Sequence, residues 1–169
     1  YVLEDRGSGW TQVARLTADD SADQDSFGKS VSISGSTAIV GAHQDDDNGL
    51  NSGSAYIFED GGSGWAQVAK LTPDDGAALD QFGNSISIRE GKAVIGAYGD
   101  RTVYLFEDTG SGWAQAGKVT GPPSPGTDYF GWSVAISGGT TVVGGYEGDV
   151  AYFFSTTSPE TKSAAWQIN

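Results

Sequence analysis

The chain lacks sulfur entirely, with no cysteine and no methionine among its 169 residues. The absence of cysteine excludes a disulfide framework, thiol chemistry and a zinc site built on thiolates. The sequence contains a single histidine, His43, and no serine stands in a G-x-S-x-G elbow beside a plausible base. Carboxylates are plentiful, but those that recur in every repeat are expected to maintain the repeat. We therefore expect a protein that is not an enzyme.

Positive charge is also scarce, since nine Lys and Arg face 22 Asp and Glu and give a net charge of −13. Nucleic-acid binding needs a basic patch, and the scattered basic residues do not supply one. No apolar run approaches the roughly 20 residues that a membrane-spanning helix needs. We expect no nucleic-acid partner and no membrane span. Because the chain begins at Tyr1 without an initiator methionine or an apolar leader, we expect a mature or excised chain.

Glycine is abundant, and it accompanies a repeated sequence pattern. The 26 glycines favour short strands joined by tight turns, so we predict an all-β protein. Hairpin sequences of the type YIFEDGGSGWAQVAKLT recur at 1–17, 56–72 and 104–120. Their tryptophans, Trp10, Trp65 and Trp113, are separated by 55 and 48 residues, and the same two intervals separate Phe27, Phe82 and Phe130.

Each of these phenylalanines precedes a glycine and opens a four-strand unit. The unit consists of an FG strand, a strand ending in two small residues, an aromatic strand and a Trp strand. Units of this size are typical of β-propeller blades. We predict about three and a half four-stranded antiparallel blades in a single domain, 1–169: a half blade at 1–17 and blades at 27–72, 82–120 and 130–169. The small residues that end the second strand would let strands crowd near a central axis.

The repeats resemble the integrin-type FG-GAP family in its bacterial-like variant. The shared elements are F-G-x-S-V-x-I-S, A-V-x-G-A, an aspartate-rich loop and S-G-S-A-Y-x-F, in that order. The resemblance implies a β-propeller in an extracellular or cell-surface protein that binds other proteins or sugars and often carries calcium. We therefore expect a non-enzymatic binding, adhesion or assembly module, and the alternative is a carbohydrate-binding lectin.

The predicted ring is incomplete. An open sector would leave apolar faces and unpaired strand edges in water. We therefore expect self-association, with a homodimer completing the propeller, unless the chain is a fragment of a longer parent chain. The expected ligand is a protein or a glycan.

One loop has the composition of a calcium site. Asp45, Asp46, Asp47 and Asn48 stand before Gly49, and their side chains offer the hard oxygen ligands that calcium prefers. The spacing is not that of the twelve-residue helix-flanked calcium loop, so a solvated acidic turn remains the alternative. The corresponding loops of the next two repeats hold too few carboxylates for calcium.

Other candidates have competing structural explanations. His43, at the start of the same loop, and Trp132, which follows the third FG pair, are candidate ligand-binding residues. The tryptophan at each GSG turn is predicted to pack between blades, against the alternative of a sugar-stacking platform. The aspartate two residues before each FG phenylalanine, at positions 25, 80 and 128, is predicted to cap a turn.

Overall fold

A computed structural model of the chain describes residues 1–123 and 128–156 and the backbone of 166–167. Its described residues form strands and turns and no helix. The strands are β1 (Val2–Asp5), β2 (Trp10–Ala14), β3 (Ser30–Ser34), β4 (Thr37–Ala42), β5 (Ser54–Asp60), β6 (Trp65–Leu71), β7 (Phe82–Arg89), β8 (Lys92–Ala97), β9 (Thr102–Asp108), β10 (Trp113–Thr120), β11 (Phe130–Ser137), β12 (Thr140–Gly145), β13 (Val150–Ser155) and β14 (Trp166–Gln167). No helix in the described ranges is long and apolar enough to cross a membrane.

The strands form three four-stranded antiparallel sheets and one two-stranded sheet. We name them the half blade (β1–β2), blade 1 (β3–β6), blade 2 (β7–β10) and blade 3 (β11–β14). Each sheet is a meander in sequence order, which is the arrangement of a propeller blade. The predicted fold class is confirmed, and the four sheets do not close a ring. The fourth strand of blade 3 is the short β14, and residues 157–165 and 168–169 lie outside the described residues.

The core consists of apolar layers between adjacent blades. Ile39 and Ile57 of blade 1 pack with Ile86, Ile88 and Ile95 of blade 2. A second layer joins blade 2 to blade 3, and its members include Val94, Val103, Phe130, Val143 and Tyr152. The alternation along each strand sends one set of side chains to the preceding blade and the other set to the following blade. Each apolar layer is therefore complete only where two sheets face each other.

The first two strands of one blade approach the first strand of the next blade closely, and glycine makes this possible. A Cβ added to Gly41 would lie 2.0 Å from the carbonyl oxygen of Gly83, and one added to Gly96 would lie 2.1 Å from that of Gly131. The Ser30 hydroxyl donates a 2.7 Å hydrogen bond to the Gly83 carbonyl, and the Ser85 hydroxyl donates one of the same length to the Gly131 carbonyl. The predicted crowding at the Gly-Ala positions is confirmed, because backbone there occupies the space that a side chain would need.

The FG phenylalanine holds its own blade together. The ring of Phe82 lies 5.5 Å from that of Tyr104 and 5.9 Å from that of Phe106, both edge to face. The equivalent rings of blades 1 and 3 meet in the same way. Such contacts contribute about 0.5–1.5 kcal/mol beyond area burial. The FG pairs are therefore scaffold residues.

The tryptophans at the GSG turns differ in burial. Trp65 and Trp113 pack against apolar clusters, in agreement with the predicted core role. Trp10 is 74% exposed, so the prediction is wrong for this residue. Trp10 belongs to the half blade, which consists of two strands only among the described residues.

Candidate functional site on the blade rim

One rim of the blades carries the predicted calcium ligands together with His43 and Trp132. Because the strands alternate in direction, the first and third strands of a blade begin where the second and fourth end. In blade 2, for example, the pairing places Phe82, Ala97, Thr102 and Thr120 side by side. We call this edge the upper rim. The loops from β4 to β5, from β8 to β9 and from β12 to β13 lie on it.

Asp45 organises the loop between β4 and β5. It is only 3% exposed. Its Oδ1 accepts hydrogen bonds from the Ser54 hydroxyl at 3.0 Å and from the Asp47 backbone N–H at 3.1 Å. Its Oδ2 accepts one from the Tyr56 hydroxyl at 2.9 Å. A buried carboxylate is stable only when its oxygens accept hydrogen bonds, so these three donors fix the loop conformation.

A lysine ammonium lies at the centre of the acidic cluster. Lys70 Nζ, which β6 brings to the upper rim, is 2.6 Å from Asp20, 3.0 Å from Asp45 and 2.5 Å from Asp47. Carboxylate oxygens of these three aspartates all lie within 4.8 Å of one another. The ammonium also lies 5.3 Å from the centre of the Tyr56 ring, within cation–π range. We call these residues the Lys70 cluster.

The charges of the Lys70 cluster stabilise one another. Burial alone would raise the pKa of Asp45, but the hydrogen bond from Lys70 and the other donors bring it below its usual value. Burial alone would lower the pKa of Lys70, but hydrogen bonds to Asp20, Asp47 and Asp45 raise it instead. Burial also raises the pKa of Tyr56. Three carboxyl groups surround one ammonium group, so the cluster carries an excess of negative charge.

The structure brings together only part of the predicted calcium ligand set. Asp45 and Asp47 face Lys70, but Asp46 accepts a 2.6 Å hydrogen bond from the Asn51 backbone N–H. The backbone N–H of Asn48 donates to the Ser52 hydroxyl at 3.1 Å as part of the turn. Sequence reasoning missed Asp20 as a member of the site. Its signal was the recurring T-x-D-D pattern before the first two FG pairs.

The other blades hold simpler versions of the same cluster. In blade 2, Lys118 forms an ion pair with Asp75, whose Oδ1 accepts a 3.2 Å hydrogen bond from Tyr104. At blade 3, Arg101 Nε donates to Asp128 at 2.8 Å. Each of these clusters therefore already contains a positively charged side chain.

The aspartates before the FG pairs cap turns, as predicted. Asp25 accepts a hydrogen bond from the Ala22 backbone N–H at 2.6 Å, and Asp80 accepts one from Ala77 at 2.7 Å. Asp128 accepts from the Phe130 backbone N–H at 3.3 Å as well as from Arg101. The repeated aspartate is thus a structural residue.

Trp132 belongs to a cluster of four aromatic rings at the boundary of blades 2 and 3. Its ring centroid lies 4.9 Å from that of Tyr98, 6.0 Å from that of Tyr129 and 5.1 Å from that of Tyr146, on which it stacks. Trp132 is 38% exposed and Tyr146 63% exposed. We call these four residues the aromatic cluster. Sequence reasoning found only the tryptophan, because the tyrosines stand in three different segments.

His43 lies apart from the aromatic cluster. It follows β4 of blade 1, at the position that Tyr98 has in blade 2 and Tyr146 in blade 3. Its Nδ1 is buried without a hydrogen-bond partner among the described residues. Burial, together with the charge of Lys29, lowers its pKa, so the ring is neutral at pH 7. His43 and Trp132 belong to different blades and do not form one site.

The repeat pattern decides the family. A sequence model of the FG-GAP repeat matches residues 10–58, 65–112 and 113–154. The chain belongs to the FG-GAP repeat family. A search of curated protein sequences finds no match to it. The family assignment therefore rests on the repeats, which extend over most of the chain.

Solved structures resemble this FG-GAP chain in fold. A structure described as "KlHsv2 with loop 6CD replaced by a Gly-Ser linker" has a TM-score of 0.50 at 13% identity over 84% of this chain and 39% of that one. Hsv2 of "Kluyvelomyces marxianus" gives 0.47 at 11% identity over 82% and 36%. The FG-GAP chain spans under two fifths of the length of these proteins. At this identity, the likeness to the first, a β-propeller, shows the fold alone.

Proposed function

We propose that this FG-GAP segment is a non-enzymatic binding module of the adhesion type that acts outside the cell or at its surface. Its ligand surface is the upper rim at blades 2 and 3, and the expected ligand is a protein. The observation that carries this proposal is the aromatic cluster, in which Trp132 and Tyr146 remain exposed. The extracellular location is what membership of the FG-GAP family favours.

The comparison of repeats supports a binding role for the aromatic cluster. At the positions of Tyr129, Trp132 and Tyr146, the other blades carry Ser26, Lys29 and His43 in blade 1 and Gln81, Asn84 and Tyr98 in blade 2. Residues that only maintain the blade recur in every copy, whereas these positions become aromatic toward blade 3. Tyrosine and tryptophan dominate binding hot spots because they bury large areas at a small cost in entropy.

The test is an adhesion assay with beads that carry the chain. Beads with the parent chain should bind to cultured cells, while beads with Trp132→Ala should bind at least about tenfold less, the loss expected for a hot-spot residue. Lys29→Ala, at the equivalent position of blade 1, is the matched control and should bind like the parent. Protease treatment of the cells should abolish binding. Equal binding of the parent and Trp132→Ala would contradict the proposal.

A lectin is the second candidate, and one observation favours it. Trp132, Tyr146 and Asp149 line one concave surface at blade 3. A flat aromatic ring beside a carboxylate is a chemistry that can hold a pyranose, whose apolar face stacks while its hydroxyls donate hydrogen bonds. A glycan array distinguishes the candidates. Binding that disappears in Trp132→Ala supports the lectin, and silence on the array together with protease-sensitive cell adhesion supports the protein ligand.

Calcium binding at the Lys70 cluster is a further part of the proposal. The three carboxylates that converge there supply hard oxygen ligands, which calcium takes in sets of six to eight. Lys70 Nζ already lies between them. A calcium ion and the ammonium would repel each other at this distance, so calcium must displace the lysine side chain. The local excess of negative charge is what would draw the ion in.

Competition between the ion and the lysine gives the test. Calcium should raise the melting temperature of Lys70→Ala more than that of the parent chain, since the variant has no ammonium to displace. Lys118→Ala should respond like the parent. If calcium and a chelator leave the melting temperature of both the parent and Lys70→Ala unchanged, calcium is not a ligand.

The incomplete ring of blades suggests that assembly with further strands is also part of the function. We propose that another chain segment completes the propeller, either a second copy of this chain or a part of a longer parent chain. Light scattering of the purified chain separates the two sources. A homodimer would double the monomer mass of 17.5 kDa, whereas a monomer at micromolar concentration would rule out completion by self-association.

A further inference from the structure

The half blade consists of the two outer strands of a blade. The sequence YVLED at 1–5 matches YIFED at 56–60 and YLFED at 104–108, which form the third strands β5 and β9. Those strands pair on one edge with a fourth strand and on the other with a second strand, β4 or β8. Among the described residues, β1 pairs only with β2. The edge of β1 that corresponds to a second-strand partner is open.

Two residues of β1 are exposed where their counterparts are buried. Tyr1 is 77% exposed and Leu3 is 53% exposed, whereas Tyr104 and Phe106 at the equivalent positions are 0% and 4% exposed. In blade 2 the ring of Phe82 covers both of those side chains. Tyr1 and Leu3 thus present the surface on which an FG phenylalanine packs in the complete blades.

The face of blade 1 that looks toward the half blade is uncovered in the same way. Val31 is 70% exposed and Ile33 is 57% exposed, while the equivalent Ile86 and Ile88 of blade 2 are 8% and 5% exposed. Ile86 and Ile88 are covered by a layer that includes Ile39 of the preceding second strand. Among the described residues, no second strand of this kind lies in front of Val31 and Ile33.

Gly28 repeats the pattern in the backbone. A Cβ added to Gly83 would lie 3.3 Å from the Cα of Gly41, in the second strand of the preceding blade, but one added to Gly28 would meet nothing within 4 Å. The Gly83 carbonyl accepts a hydrogen bond from the hydroxyl of Ser30, which lies in the first strand of the preceding blade. The half blade has no first strand to make this contact with Gly28.

These surfaces form one groove. Tyr1, Leu3, Phe27, Val31 and Ile33 all line it, between the half blade and blade 1. We propose, building on the assembly role proposed above, that this groove binds the inner-strand hairpin of another FG-GAP repeat, with the hairpin's second strand paired antiparallel to β1. Its FG phenylalanine packs on Tyr1 and Leu3, its second-strand β-branched residues cover Val31 and Ile33, and its glycine faces Gly28. Strand addition to an open edge is a recurrent mode of recognition.

A second copy of this chain is a poor source of the hairpin. Each copy brings the same outer pair, β1–β2, and two outer pairs cannot make a blade. The inner hairpins β3–β4, β7–β8 and β11–β12 are each already paired with their own third strand. A second copy would have to open one of its blades. The source is therefore a repeat whose inner hairpin has no outer strands of its own.

The experiment adds the missing hairpin to the full chain. A second copy of residues 80–103 is placed directly ahead of Tyr1, which preserves the natural connection because residue 103 precedes Tyr104, the counterpart of Tyr1. The extended chain should melt about 5 °C or more above the parent, as expected for a new packed interface. The backbone amides of Val2–Asp5 should exchange with solvent at least about tenfold more slowly.

The matched control carries Phe82→Ser and Gly96→Val in the added copy only. It should melt and exchange like the parent chain, because the phenyl contact is lost and the valine meets the Gly28 backbone. If the unaltered extension leaves both the melting temperature and the Val2–Asp5 exchange unchanged, the proposal is wrong. It is also wrong if the parent is a dimer in which those amides are already protected. Neither readout involves the upper-rim ligand, so the proposed binding function is tested separately.

Discussion

Blade 1 and blade 2 have nearly the same sequence pattern but differ in two surroundings. On the upper rim, Lys70 contacts three aspartates while Lys118 forms an ion pair with one. On the face toward the preceding sheet, Ile33 is exposed while Ile88 is buried. The first difference comes from the sequence of one loop, and the second from the absence of neighbouring strands. The repeated strands specify each sheet, whereas a variable loop and the neighbouring strands determine its surroundings.

The rim difference follows from loop length. Eleven residues separate β4 from β5, and four separate β8 from β9. Only the longer loop can bury Asp45 and still return Asp47 toward Lys70. The shorter loop leaves Asp75 as the carboxylate partner of Lys118, with side chains 47% and 44% exposed. The same lysine position therefore contacts a buried aspartate, Asp45, in one blade and forms only a half-exposed ion pair in the next.

The largest expected difference concerns the two isoleucines. Ile88→Ala should lower the free energy of unfolding by about 3–4 kcal/mol, because it opens a cavity in a packed layer. Ile33→Ala should cost less than about 1 kcal/mol, since the side chain is already exposed. Urea denaturation of both variants measures the contrast. Equal losses would mean that Ile33 is covered in solution.

The two lysines should differ next. Lys70→Met removes the cation from a carboxylate that is 5% exposed, and we expect a loss of about 3 kcal/mol. Lys118→Met breaks a half-exposed pair and should cost less than about 1 kcal/mol. Thermal and urea unfolding at pH 7 provide the comparison. A small effect at Lys70 would show that Asp45 does not depend on that ammonium.

The pH dependence of Lys70→Met should separate charge from packing. In the parent, the lowered pKa of Asp45 stabilises the fold above the unfolded-state value near 4, and this stability is lost as the pH falls through the folded-state value. Without Lys70, burial instead favours the protonated carboxyl and raises that pKa. The difference in the free energy of unfolding between the parent and Lys70→Met should then become smaller from pH 7 to pH 4. The decrease should be about 1.4 kcal/mol for each unit by which the variant raises the folded-state pKa of Asp45. If urea unfolding gives the same stability difference at every pH in this range, the effect of the substitution comes from lost packing and not from lost charge.

The smallest contrast concerns the tyrosine hydroxyls. Tyr56→Phe removes a donor from buried Asp45 and should cost about 1.5 kcal/mol. Tyr104→Phe removes a longer hydrogen bond to half-exposed Asp75 and should cost about 0.5 kcal/mol. Matched urea titrations can resolve the two values. A reversed order would mean that the shorter bond to Asp45 is not the stronger one.

The sequence predicted the blades because their strands and turns are local and repeated. Phe82-Gly83 and the Gly-Ala pairs indicated both the strand order and the close approach near the axis. The candidate sites were harder to predict, because Asp20, Asp47 and Lys70 come from three separate segments. Their convergence depends on where β6 ends relative to the loop before β5. The aromatic cluster was found only at Trp132 for the same reason.

The serine-to-glycine contacts between blades give the stack a direction. Ser30 donates to the blade after it, and so does Ser85, while each accepting glycine carbonyl belongs to the later repeat. An assembly that meets through identical surfaces by a two-fold axis would place donors against donors. Only head-to-tail association can repeat this contact, and such association either closes into a ring or continues as a filament. The geometry of one hydroxyl thus limits the symmetries available to any larger assembly built with the same contact.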